Sequence, residues 1–142
     1  MKFQSIRVKY TAAFGAIALF LILLTVFNNA LISKNEKALM LFGQQFNPAI
    51  SAVLNADRDL YQARVAEQQI LLSEVGSESA KAAESSFTEN AEQALERMNK
   101  YKSLMRDYPD ILNKLSGFES AYKKWINESK KVFELAAQSN LS

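Results

Sequence analysis

The chain has 142 residues, a formal net charge of +2, and neither Cys nor His. Those two absences exclude a disulfide scaffold, Cys- or His-ligated metal and haem, and Ser–His or Cys–His catalysis. Four Gly and two Pro are too few for the turns of an all-β fold, and segments rich in Ala, Glu, Lys, Leu and Gln read as helix.

Residues 1–10 form a short basic start that carries Lys2, Arg7 and Lys9 and no acid. Residues 11–32, TAAFGAIALFLILLTVFNNALI, carry no charge at all. At about 1.5 Å per helical residue this stretch crosses a hydrocarbon core of about 30 Å. The basic flank places the N-terminus in the cytoplasm and the rest of the chain outside. A cleaved signal peptide also has a basic start and an apolar core. Here the apolar stretch exceeds a usual signal core, and the following NNALIS lacks a small-x-small site, so an uncleaved anchor is expected. All 15 acids follow the span, which leaves the outer part slightly acidic. The pI near 8.8 is therefore no argument for a nucleic-acid partner.

Residues 33–142 form one helical domain at most. The first long helix is expected over about 33–75, with a core register of Leu39, Phe42, Phe46, Ala49, Val53, Ala56, Leu60, Ala63, Glu67 and Ile70. Pro48 should loosen its backbone between Gly43 and Pro48. Gly76 closes the helix and Ser77 caps the next. A second helix over about 78–107 carries Phe87, Ala91, Ala94, Met98, Tyr101, Met105 and Tyr108 alternately four and three residues apart. Pro109 opens a third over about 109–142, with a stripe of Ile111, Leu115, Phe118, Tyr122, Trp125, Ser129, Val132, Ala136 and Ser139.

Three helices joined by short turns run up, down, up. The fold class is all-α: a transmembrane helix continuing into an antiparallel bundle. Three helices of a four-helix bundle are legible, and a fourth helix and a second span are expected beyond Ser142.

The first long helix carries a second apolar stripe of Ile50, Leu54, Tyr61, Val65 and Leu72. A helix with two apolar stripes wants two partners, so Ile50, Leu54, Val65 and Leu72 are candidates for a homodimer interface. Asp57, Arg58 and Gln68 interrupt that stripe. Arg58 inside it would be relieved by an anionic ligand, with its guanidinium pairing a carboxylate and Tyr61 supplying a hydroxyl or a wall. Against this, Asp57, Arg58 and Asp59 can form a solvated band in which Arg58 pairs with a neighbouring acid. Trp125, Tyr122 and Phe118 read as core packing, and Lys123, Lys124, Lys130 and Lys131 as a solvated face. No catalytic motif, metal site or cofactor site is visible.

The basic start MKFQSIRVKY, the single span, FNPAISAVLNADRDLYQARVAE and FESAYKKWINESKKVFELA together resemble the N-terminal part of a bacterial methyl-accepting chemotaxis protein. The resemblance implies an inner-membrane receptor with a periplasmic four-helix-bundle sensor domain, working as a homodimer. It binds a small molecule near the dimer interface and signals across the membrane without catalysis. A small carboxylate or an amino acid is the implied ligand class. Arg58 matches the first arginine of amino-acid-sensing members. The next expected arginine falls at Ala63, with Arg64 one residue late, which turns that side chain by about 100°. Arg58, Tyr61, Asp57 and Arg64 are the candidate ligand-binding residues. The same architecture also serves sensors of histidine kinases and diguanylate cyclases, or a membrane-anchored structural bundle without a ligand.

Overall fold

A computed structural model describes residues 5–139, and every regular element among them is helical. The chain forms two compact units, Met1–Gly43 and Gln44–Ser142. Lys2 of the basic start lies outside the described residues.

In the first unit, α1 (Ile6–Leu41) buries none of its side chains. Phe14, Ile17, Phe20, Ile22, Leu23 and Phe27 all stand exposed. A helix that is apolar all round belongs in a bilayer or a large core, and this one is long and apolar enough to cross a membrane. Midway along it the Thr25 hydroxyl is satisfied within the helix: Thr25 Oγ1 donates to the Leu21 carbonyl at 2.9 Å.

Helical hydrogen bonding widens to a π-turn over Phe42–Phe46 before α2 (Asn47–Leu72) begins. Pro48 has no N–H to give and its ring crowds the carbonyl four residues back, so the wider turn relieves the clash. This is the loosening expected between Gly43 and Pro48.

In the second unit, α2 and α3 (Glu78–Leu104) pack antiparallel along their length. The buried face of α2 is Ala49, Ala52, Ala56, Asp59, Ala63, Ala66 and Ile70. It meets Ala80, Ala83, Phe87, Ala91, Ala94 and Met98 of α3. The α3 stripe is the expected one, extended toward the helix start by two alanines. The α2 stripe differs at alternate positions. Ala52, Asp59 and Ala66 are buried where Val53, Leu60 and Glu67 were expected, and those three stand half-buried beside the seam. Alanine at the centre lets two helix backbones approach more closely than Val or Leu would, and the larger side chains then cover the flanks.

Both ends of this pair are tied. Gln45 Nε2 donates to the Leu104 carbonyl at 2.6 Å, satisfying a terminal acceptor of α3, and Phe46 lies 5.4 Å from Tyr108 between ring centres. At the other end Gly76 takes a positive φ of 76°, and Ser77 accepts from the Ala80 N–H at 3.1 Å as an N-cap.

The third expected helix is divided. α3 ends at Leu104, three residues early. α4 (Pro109–Asn113) is a short turn of helix, and α5 (Phe118–Ser139) follows a second turn. Between α4 and α5 the N–H groups reach back three residues, as in Leu115 to Leu112 at 2.9 Å and Phe118 to Leu115 at 3.0 Å. Ser116 and Gly117 hold a helix poorly, which lets the chain turn there.

α5 runs antiparallel to α3 and is held by aromatic rings. Phe87 meets Trp125 at 5.5 Å and Phe133 at 5.1 Å, both edge to face. Tyr122 donates its hydroxyl to the Ala91 carbonyl at 2.8 Å. Phe118 and Tyr122 stack at 6.1 Å, and Lys102 bonds Glu119 at 2.6 Å. That bond, and then the Lys102 charge, hold the Glu119 carboxyl below its ordinary value. Trp125 and Tyr122 pack half-buried against the core cluster, as expected, while Phe118 stands outside that cluster and stacks on Tyr122. Val132 is exposed and Phe133 takes its place in the packing. The Ser139 side chain lies outside those described.

Two outcomes follow. Ala63 is fully buried, so Ala63→Leu should push the seam apart and cost about 2 kcal/mol, read as a lower midpoint for loss of helical circular dichroism in the detergent-solubilised chain. Burial, and next the Glu92 charge, raise the Tyr122 pKa. The folded chain therefore holds this proton more tightly than the unfolded chain does. That stabilisation is complete below the ordinary tyrosine value of about 10 and disappears as pH rises through the folded value. Tyr122→Phe should remove this alkaline loss from the stability–pH curve.

Candidate functional site

The second apolar stripe of α2 is uncovered within the unit. Ile50, Leu54, Tyr61, Val65 and Leu72 are all exposed, Leu72 to 84% and Tyr61 to 69%. They occupy the side of α2 that turns away from the alanine seam. Asp57, Arg58 and Arg64 are exposed as well. Asp57, Tyr61 and Arg64 follow one another at i, i+4 and i+7, so they share a face. Arg58 and Arg64 are six positions apart and point in different directions, so they do not form an arginine pair. Among the described residues neither Asp57 nor Arg64 forms an ion pair.

Arg58 is already engaged. Its Nε and Nη2 both donate to Asp59 Oδ1, at 3.0 and 2.7 Å. Asp59 is completely buried, while the Arg58 side chain is 53% exposed. The second carboxylate oxygen of Asp59 pairs with Nε of Arg97, which reaches across from α3. One carboxylate in the seam therefore holds two arginines at its rim. The solvated-band reading is right that Arg58 pairs with a neighbouring acid. It is wrong about Asp59, which lies inside the bundle and not in water.

A register drawn through Val53 and Leu60 leaves Asp59 off the seam, so that pattern does not reveal its role. The signal was present: 49, 52, 56, 59, 63, 66 and 70 repeat at three and four, with alanine at five of the seven positions. A carboxylate in such a series demands a cation across the interface, and Arg97 adjoins Met98 of the facing stripe.

Tyr61 also lines a cleft between α2 and α3 of about 660 Å³, together with Gln62, Val65, Gln69, Ser86 and Asn90. The role expected of Tyr61 lies beside Arg58; the cleft it lines is instead floored by Ala66 and Ala83 and does not include the Arg58–Asp59 pair.

No family model, curated protein or solved structure matches this chain.

The Asp59 arrangement sets an asymmetric expectation. Arg97→Ala leaves a buried carboxylate with one partner and should cost about 2 kcal/mol. Asp59→Ala removes the buried charge, frees both arginines to water and completes the alanine series. Its cost should stay below about 1 kcal/mol. Urea unfolding of the two variants, followed by circular dichroism, gives the order.

Proposed function

We propose that the chain is the membrane-anchored sensing region of a bacterial chemotaxis-type receptor. In this reading α1 spans the inner membrane, its basic start stays in the cytoplasm and the helical unit stands in the periplasm. Two copies meet through the outer stripe of α2, and a small molecule bound beside Tyr61 changes how they meet. The observation that carries it is the uncovered stripe Ile50, Leu54, Tyr61, Val65 and Leu72. These side chains repeat at helical spacing on one face, as an interface helix requires. The span and the resemblance of the first long helix to receptor sensor domains add support. No catalysis is proposed.

A structural bundle without a ligand is the second reading, and the Arg58–Asp59 pair favours it. A guanidinium satisfied by its neighbour does not need an anion from outside.

The chain has no Cys, so single cysteines report unambiguously. In native membranes Leu54→Cys should form a disulfide-linked dimer on mild oxidation. Glu84→Cys, on the outer side of α3, should not. A panel of small carboxylates, amino acids and sugars should contain a compound that changes the rate of this cross-link and raises the melting midpoint by RT ln(1 + [L]/Kd). Failure of the Leu54 cross-link overturns the dimer. A cross-link that no compound alters leaves the structural bundle.

A further inference from the structure

We infer that the cleft between α2 and α3 binds an uncharged, hydroxyl-rich small molecule of the monosaccharide class. The inference rests on the reading that this chain senses a small molecule, and it names the ligand class.

The cleft volume of about 660 Å³ lies in the range of small-molecule sites. Its lining contains no charged side chain among the described residues. Three other clefts among the described residues are charged. The cleft beside Arg97 includes Glu96 and Lys100, the one along α5 includes four lysines, and the one on the outer side of α3 includes Lys81, Glu84, Glu89 and Glu92. The walls of this open cleft offer an ion no counter-charge, and a neutral molecule needs none.

The polar groups present suit hydroxyls. Gln69 Nε2 reaches Ser79 Oγ at 3.4 Å and Ser73 Oγ at 3.5 Å, which leaves its carbonyl end open as an acceptor. Asn90 gives its amide hydrogens to the Ser86 carbonyl at 2.7 Å and the Ser86 hydroxyl at 3.2 Å, and likewise keeps its Oδ1 open. Among the described residues neither end of the Gln62 amide has a hydrogen-bond partner, and the Tyr61 hydroxyl has none either. Amides both give and accept, and so do sugar hydroxyls. Between these groups lie Ala66 and Ala83 on the floor and the exposed ring of Tyr61 at the edge. A pyranose has the same division: a rim of hydroxyls and a C–H face that lies against an aromatic ring.

The test is calorimetric titration of the full chain in lipid nanodiscs, since common detergents carry sugar head groups. The probes are glucose, galactose, ribose and N-acetylglucosamine, with gluconate and glucosamine as charged counterparts. At least one neutral sugar should bind saturably, and its charged counterpart at least tenfold more weakly. Tyr61→Ala and Gln62→Ala, both at exposed positions, should each weaken binding tenfold or more, with the helical circular dichroism unchanged. Tyr61→Phe, which keeps the ring, should lose less than Tyr61→Ala. Ala82→Trp, which fills the cleft, should abolish binding and leave the Leu54 cross-link intact.

Absence of binding by every neutral sugar overturns the inference, as does tighter binding of gluconate. Loss of the cross-link in Ala82→Trp would show a second copy seated in the cleft, and would also overturn it. A normal Leu54 cross-link with no sugar binding defeats this inference alone. Sugar binding with no cross-link at Leu54 defeats the dimeric-receptor reading alone.

Discussion

The close contact of α2 with α3 is the constraint on which the rest of the helical unit depends. Alanines on both sides let the two backbones approach, and Ala63 and Ala94 are sealed from solvent altogether. Such a seam gains less per side chain than Leu or Ile packing. It is also poorly discriminating: a slide of one heptad would set alanine against alanine again. Asp59 breaks that degeneracy. Only one register sets its second carboxylate oxygen on Arg97. Any slip would leave a desolvated carboxylate facing methyl groups, at a cost of several kcal/mol. The buried acid thus contributes specificity where the alanines contribute proximity, the role that single polar positions play in helical pairs.

α5 joins by a different chemistry, which determines what remains open. Phe87 leaves the alanine stripe and stands between Trp125 and Phe133. Rings of that size hold α5 farther from α3 than alanine holds α2. The Tyr122 hydroxyl bonds the Ala91 carbonyl and fixes α5 along the axis as well as across it. α5 packs over both helices, against Ala63, Ala66 and Ile70 of α2 as well as Phe87 and Ala91 of α3, and the outer stripe of α2 and the cleft between Tyr61 and Asn90 stay uncovered. Both features proposed to act are thus on surfaces that internal packing has not used.

The sequence was most legible where one signal decided the outcome. The apolar α1, the proline-driven π-turn, the Ser77 cap and the Phe87 to Met105 stripe all follow from single local rules, whereas α2 stops at Leu72 with Ser73 as its cap, short of the Gly76 expected to close it. The exposed stripe of α2 was legible too, because residues that the bundle register leaves over must go outside. Two features needed information that periodicity does not hold. The α2 register turns on whether alanine or valine occupies the centre, and both are apolar to a pattern count. What decides it is how closely α3 can come, and that depends on the alanines at 80, 83, 91 and 94 of another helix. The break near Gly117 likewise reflects where the aromatic residues of α5 must land on α3, and not only the weak helix propensity of Ser116 and Gly117.

Arg58 shows why a charge read from sequence is a poor guide to a ligand. Counted alone on an apolar stripe, it calls for an anion. In the folded chain a carboxylate sits 2.7 Å from it on the next residue and brings a second arginine with it. That carboxylate pays no entropy of association, whereas any anion from solution must lose its translational freedom to arrive. It must also compete with a partner that cannot diffuse away. Displacing Asp59 would then strand it in the seam with Arg97 alone. Amides and hydroxyls around the cleft face no such competitor. Gln62 and the open ends of Gln69 and Asn90 exchange only water when a ligand binds. The stronger charge is therefore the less available site, which is why recognition is proposed at neutral groups with hydrogen-bonding capacity left over after folding.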